Sequence, residues 1–224
     1  MSRPAVVVFD VNETLSDMAP MGSRFADIGA PAELAKLWFA TLLRDGFALT
    51  ATGDNPDFAE IGAEVLRGLL RGRDLDRPLE DAVKHVMSGL LTLGVHPDVA
   101  DGVRALHDDG YRLVTLTNGG PLVAERLFEG AGIREAFEAL LSVNDAPQWK
   151  PARSSYAYAA EACGVQPGEM LLVAVHPWDI HGAARAGFQT AWINRTGAAY
   201  PSYFSDPDIV AGGVGGVAEA LRSR

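Results

Sequence analysis

Ala5-Val6-Val7-Val8-Phe9 runs directly into Asp10-Val11-Asn12-Glu13-Thr14-Leu15. The first five residues are apolar without alternation and rich in β-branched side chains, the pattern of a strand buried on both faces. A strand of that kind belongs inside a parallel sheet, and the polar turn after it leaves the acid Asp10 at its carboxyl end. Tyr111 to Leu116, Met170 to Val175 and Thr190 to Ile193 repeat the theme. Between these strands, Asp98 to Asp109, Val123 to Gly130 and Ser154 to Cys163 carry apolar residues at helical spacing. Gly110, Gly132 and Gly164 stand where those helices end. Asp208-Ile209-Val210 and then Val214 to Leu221 add a short strand and a closing helix. The alternation predicts an α/β fold with a doubly wound, Rossmann-like parallel sheet.

Between Pro20 and Gly94 the pattern changes. Pro31 to Arg44, Pro56 to Leu70 and Leu79 to Leu91 read as successive helices with no strand between them. Residues 18–93 are therefore expected to form an all-helical insertion, with 1–17 and 94–224 as the α/β core. Inserted after the first strand and turn, these helices would roof the strand ends where open α/β sheets bind ligands. The plainer alternative is that they only enlarge the core.

The chain has 224 residues, 48% hydrophobic and 21% charged, which suits one folded domain carrying an insertion. With 19 basic and 29 acidic residues the formal net charge is −10. Nucleic acid and anionic membrane are thus poor partners. No apolar run approaches the roughly 20 residues of a membrane span. Met1-Ser2-Arg3-Pro4 leads into a strand pattern rather than a signal peptide, so a cytoplasmic protein is expected. Cys163 is the single cysteine, which rules out an intramolecular disulfide and leaves no zinc or redox motif.

The strand ends carry the chemistry. After Asp10 comes Thr117-Asn118-Gly119-Gly120, an anion or oxyanion cradle or else a plain turn. Gln148-Trp149-Lys150-Pro151 and His176-Pro177-Trp178-Asp179 supply a lysine, a histidine and a second acid. This order of Asp10 and Thr14, Thr117, Lys150 and Asp179 resembles the haloacid dehalogenase superfamily of hydrolases over nearly the whole chain. Phe9-Asp10 through Leu15, Leu116 through Gly119, Lys150-Pro151 with Tyr156 beyond, and Trp178-Asp179 through Gly187 are most similar to its 2-haloacid dehalogenase branch. The resemblance makes the helical insertion a cap and Asp10 the nucleophile. It implies that Thr14 and Thr117 hold carboxylate oxygens, that Lys150 and Asp179 orient the attacking group, and that Tyr156 is an active-site tyrosine.

The residue types suit that chemistry. A carboxylate fixed by hydrogen bonds and kept ionised by an ammonium can attack an electrophile and form an ester. Water then hydrolyses the ester, with Asn118 or backbone amides near Thr117 stabilising the oxyanion. Halide leaves without a proton, so donors are needed around it, for which Asn118 and Trp178 are candidates. Phosphatases of the superfamily carry a second aspartate two residues after the nucleophile, where this chain has Asn12, and a further carboxylate where it has Val175. A Mg²⁺ ion would have to rely on Asp10, Asn12 and Asp179, a poorly furnished set. The expectation is therefore a hydrolase that displaces halide from a small, anionic 2-haloacid without a cofactor. A Mg²⁺-dependent phosphatase and a catalytically silent protein of the same fold are the alternatives.

Substrate recognition is where the chain departs from the family it resembles. The family tyrosine after the nucleophile is Asn12. The helix Ala32-Glu33-Leu34-Ala35-Lys36-Leu37-Trp38 lacks the cap arginine that binds the substrate carboxylate, and Glu33 lies near that register. Arg44, Arg24 and Lys36 are candidate replacements, and Asn12, Tyr156 and Trp178 join Arg44 as candidate substrate contacts. Where the family has serine and asparagine after the fourth strand, this chain has Ala174 and His176. His176 could act as a general base or only donate a hydrogen bond. Tyr200-Pro201-Ser202-Tyr203-Phe204 leaves room for a homodimer interface or is a core-side loop.

Overall fold

The computed structural model describes residues 3–223; Met1, Ser2 and Arg224, assigned to the core from the sequence, lie outside the described residues. The strands β1 (Val6–Phe9), β2 (Arg112–Thr117), β3 (Ala139–Ser142), β4 (Met170–Ala174), β5 (Gln189–Ile193) and β6 (Ile209–Ala211) form one sheet. It is parallel throughout, in the order β3-β2-β1-β4-β5-β6. Every residue of β1, β4 and β5 is buried, so these strands read as unbroken apolar runs.

Four helices follow β1: α1 (Met21–Ala26), α2 (Leu34–Thr52), α3 (Phe58–Leu70) and α4 (Leu79–Gly89). The chain leaves and rejoins the sheet at a short antiparallel bridge between Ser16 and Val95. The remaining helices are α5 (Val99–Asp108), α6 (Pro121–Ala131), α7 (Arg153–Cys163), α8 (Pro177–Ala186) and α9 (Val214–Arg222). They cover the two faces of the sheet. No helix among the described residues is long and apolar enough to cross a membrane.

From β1 the chain winds out to β3, then returns to lay β4 against β1 and winds the other way. The strand order reverses there, and a crevice opens at the carboxyl ends of β1 and β4. Phe9 is in register with Val173, and the Asp10 N–H donates to the Val173 carbonyl at 3.1 Å. The segments that follow the two strands, Asp10 to Thr14 and Val175 to Asp179, therefore emerge side by side.

Three elements differ from the sequence reading. β3 is a short edge strand with three of its four residues only half buried, so it carries no strong apolar signature. The six-residue α1 is likewise too short to show a period. And α2 continues past Arg44 to Thr52, because Gly46 is not a stop: a Cβ there would lie 2.3 Å from Cζ3 of the Trp149 ring, which fills the space. The helix ends instead at Gly53, whose φ of 95° is the left-handed conformation of a helix terminus.

Candidate active site

Asp10 is 3% exposed and accepts three hydrogen bonds. Its Oδ2 receives Thr14 Oγ1 at 2.6 Å and His176 Nδ1 at 3.1 Å; its Oδ1 receives Lys150 Nζ at 3.0 Å. Thr14 is held in turn, its Oγ1 accepting the Val175 N–H at 3.1 Å. Lys150 is fully buried and also donates to Asp179 Oδ2 at 2.5 Å. Asp179 Oδ1 accepts the Tyr156 hydroxyl at 2.6 Å. On the other side, His176 Nε2 lies 2.9 Å from Glu13 Oε2. The result is one continuous chain of contacts: Tyr156, Asp179, Lys150, Asp10, His176, Glu13.

The charges along it are set by competition between burial and partners. Burial works to protonate Asp10, but Lys150, His176 and Thr14 outweigh it and hold the carboxyl well below its usual range. Burial also raises Asp179, and there the pull of Lys150 is set against the like charge of Asp10, so the second carboxyl stays above its ordinary value. Lys150 is raised: burial opposes its charge, and the two aspartates overcome that. His176 behaves likewise, pushed up to about 9 by its hydrogen bonds to Asp10 and Glu13 against the cost of burial. A strongly acidic carboxylate and a more basic one thus flank a single ammonium, which divides their roles.

The strand-end residues fall into two groups. Asp10, Thr14, Lys150, Asp179 and His176 come together as described. Thr117 does not hold a carboxylate oxygen: its hydroxyl accepts the Gly119 N–H at 3.0 Å. The Asn118 carboxamide grips the Lys150 backbone at two points, accepting its N–H at 2.9 Å and donating to its carbonyl at 3.1 Å. Asn118 therefore fixes the lysine first, with its second N–H left for a bound group. Tyr156 is fully buried with its hydroxyl on Asp179, which makes it a positioning residue rather than a substrate contact. Gly182 permits this packing, since a Cβ there would lie 2.5 Å from the tyrosine oxygen.

Asn12 sits beside this group: a Cβ on Gly119 would lie 3.2 Å from its Nδ2 and 3.4 Å from Thr117 Oγ1. Trp178 stacks on His176 with ring centroids 5.0 Å apart and meets the edge of Phe47 at 4.9 Å. It lies against the cluster, 5.9 Å from Lys150 Nζ. Arg44 does not reach the site. Its side chain is 71% exposed and pairs with Asp45, its neighbour in sequence.

A cavity of about 760 Å³ opens between the helical insertion and the sheet ends. Phe39, Lys36, Glu33 and Met18 line it from one side, and Glu13, His176 and Trp192 from the other. Of its Lys and Arg side chains, Arg195 is held by Asp98 at 2.9 Å, whereas Lys36 has no carboxylate partner among the described residues. Elsewhere the insertion is seated on the core. Trp149 Nε1 donates to the Pro56 carbonyl at 2.9 Å, Gln148 Nε2 to Thr50 at 3.0 Å, and Asn55 Nδ2 to Ala146 at 2.8 Å.

The side chains do not suit a Mg²⁺ ion shared by Asp10, Asn12 and Asp179. The Lys150 ammonium lies between the two carboxylates and bonds to both, and their other oxygens take Thr14, His176 and Tyr156. A dication there would face a buried cation. No other group of three His, Cys, Asp or Glu side chains among the described residues offers a metal site.

Phe39 is not evident as a site residue from sequence, and Glu13 enters there only as an alternative proton donor, with His176, for a phosphatase that has Asn12 in place of its second aspartate. Glu13 has a φ of 60°, a left-handed conformation that no sequence pattern signals for a glutamate. Phe39, whose ring lies 6.5 Å from that of His176, reads only as one more apolar position of a helix.

An aspartate at the end of the first parallel strand, cradled by hydroxyl, ammonium and imidazole, defines a class of α/β hydrolase. The chain belongs to the haloacid dehalogenase-like hydrolases, whose family model matches residues 4–187. Among its relatives is the (S)-2-haloacid dehalogenase of Pseudomonas sp. (strain YL), 30% identical over 206 residues, 90% of this chain and 88% of that protein. The (S)-2-haloacid dehalogenase 4A of Burkholderia cepacia is 32% identical over 194 residues, 85% of this chain and 83% of the other. A crystal structure of a dehalogenase with an intermediate complex superposes with a TM-score of 0.90 at 27% identity, covering 99% of this chain and 98% of that one.

Proposed function

We propose that this chain hydrolyses the carbon–halogen bond of a small 2-haloacid through an ester on Asp10, without a metal. The observation that carries the reading is the bonding of the Asp10 carboxylate. Oδ2 accepts two hydrogen bonds and is fully engaged, whereas Oδ1 accepts Lys150 alone and keeps a lone pair.

Oδ1 attacks the carbon bearing the halogen from the side opposite the leaving group. A C–O bond forms, the halide departs with the bonding electrons, and the carbon inverts. The second N–H of Asn118 and the indole N–H of Trp178 serve as donors to the departing anion. Water then adds to the Asp10 carboxyl carbon. Asp179, the more basic carboxylate, takes the water proton, and Lys150 gives its own to Oδ1 as that oxygen leaves with the product. The 2.5 Å contact from Asp179 to Lys150 returns the proton. Atoms balance: the 2-hydroxyacid carries the former Oδ1, Asp10 keeps an oxygen from water, and the second water proton leaves to solvent as the Asp10 carboxylate is restored.

Residues 18–93 act as the cap, closing over the core of residues 1–17 and 94–224. Lys36 serves as the carboxylate grip at the cavity in place of an arginine, with a point charge instead of a bidentate fork. The test is halide release from chloroacetate and each enantiomer of 2-chloropropionate, with EDTA and with Mg²⁺. Release from one enantiomer, unchanged by EDTA, supports the reading. Phosphate release from a phosphate ester that depends on Mg²⁺, with no halide release, contradicts it.

A further inference from the structure

Glu13 is clamped at three points. Its N–H donates to Ser16 Oγ at 3.2 Å, its carbonyl lies 3.0 Å from His96 Nε2, and its carboxylate meets His176. These hold it at a φ of 60°, a left-handed region that is unfavourable for a non-glycine residue. Glycine would adopt that backbone freely, so the side chain has a use that outweighs the strain.

That use is legible in the ring it holds. Both nitrogens of His176 face carboxylate oxygens, Asp10 at 3.1 Å and Glu13 at 2.9 Å. A neutral imidazole has one N–H and would turn a lone pair toward one of the two acids; only the imidazolium satisfies both. We infer that Glu13 is a positioning residue that keeps His176 as an imidazolium, so that its Nδ1–H, with the Thr14 hydroxyl, forms an oxyanion hole at Oδ2 of Asp10 for the ester-hydrolysis step. The inference rests on the Asp10-ester reading proposed above and adds to it a division of labour. Oδ1 carries the substrate, while Oδ2, already seated on two donors, becomes the ester carbonyl oxygen and then the tetrahedral oxyanion.

No rearrangement is needed for this, because the donors that hold Oδ2 in the resting carboxylate are the ones that meet the growing negative charge. His176 therefore donates throughout and does not serve as the general base. The stacked Trp178 and the ring of Phe39 fix the imidazolium plane. Apart from Glu13, the titratable or charged side chains lining the cavity onto which His176 opens are Asp17, Glu33, Lys36, His96 and Arg195, and the Lys150 ammonium bonds Oδ1 of Asp10. None of these is hydrogen-bonded to the ring.

Rapid-quench mass spectrometry of the ester on Asp10 separates its formation from its decay. Glu13→Gln keeps the size of the side chain and removes its charge, and Glu13→Gly relieves the backbone while removing the whole side chain. Both are expected to slow ester decay by about 10-fold or more while ester formation stays within a few-fold, so the ester accumulates. In both, the alkaline limb of ester decay should move down toward the ordinary imidazole value, because the Glu13 carboxylate that raises His176 is gone, and His176→Ala should slow decay further, by roughly 10²-fold. Decay rates and pH profiles unchanged in both Glu13 variants would overturn the inference, as would Glu13→Gly performing like the native chain. If the native chain forms no ester at all, the fault lies with the Asp10 reading and not with Glu13, so the two failures are distinguishable.

Discussion

Lys150 Nζ donates to Asp10 Oδ1 at 3.0 Å with the lysine fully buried and the aspartate 3% exposed. In a site of effective dielectric near 20, unit charges about 4 Å apart attract by about 4 kcal/mol. That suffices to keep the acid ionised where burial would protonate it, which is the condition for a carboxylate to act as nucleophile.

Replacing Lys150 by Met strands two buried carboxylates. Stability should fall by about 3–5 kcal/mol, the range for removing one partner of a buried ion pair. Urea unfolding followed by fluorescence checks this. A loss below about 1 kcal/mol would mean that Asp10 and Asp179 find solvent or other donors and that the lysine is not what balances them.

Tyr156 reaches only Asp179, so Tyr156→Phe should leave substrate KM near the native value. It should slow ester breakdown more than ester formation and cost about 1–3 kcal/mol of stability for the lost buried hydrogen bond. A large rise in KM with unchanged ester breakdown would restore the tyrosine to a substrate-binding role.

Lys36 and Arg44 make opposite predictions. Lys36→Ala should raise KM for a 2-haloacid by roughly 10-fold, the loss expected of one charge-assisted contact of about 1.5 kcal/mol. Arg44→Ala, a change at a side chain 71% exposed and paired with Asp45, should leave KM unchanged within error. The reverse pattern in steady-state halide release would put the anion site elsewhere along α2.

Gly46 is where α2 of the insertion meets the core. A methyl placed 2.3 Å from the Trp149 ring must displace it, so Gly46→Ala should destabilise by about 1–3 kcal/mol. Gly68, exposed on α3 with nothing near its missing Cβ, serves as the control: Gly68→Ala should stabilise by about 0.4–1 kcal/mol. Equal effects at the two positions in a denaturant titration would contradict the packing described.

The parts of the fold that could be read from sequence are those whose local pattern agrees with their burial. β1 and β4 are unbroken apolar runs because both faces are covered, and the turns after them announce themselves by Asp10 and by His176-Pro177. Ala139–Ser142 escaped because an edge strand half open to solvent needs no such run. The length of α2 was hidden because the residue that tolerates Gly46 is Trp149, far along the chain. Within the site, Asp10 follows from its place at a strand end, whereas Lys150, eight residues beyond β3, and Asp179, in the first turn of α8, are legible through the family resemblance. A hydroxyl or carboxamide at a strand end can as easily serve the backbone, as Thr117 does for Gly119 and Asn118 for Lys150, although Asn118 keeps a second N–H for a bound group. The contact of Glu13 with His176 depends on a left-handed backbone that no sequence pattern signals.

The central claim is that Asp10 becomes covalently bound during turnover. A single turnover in H₂¹⁸O, with enzyme in excess over a 2-haloacid, tests it most directly by mass spectrometry of product and of the peptide holding Asp10. The account predicts ¹⁸O in Asp10 and none in the 2-hydroxyacid, because the product oxygen comes from Oδ1. Label in the product with Asp10 unlabelled would mean that water attacks the substrate carbon itself, and the ester mechanism would be wrong.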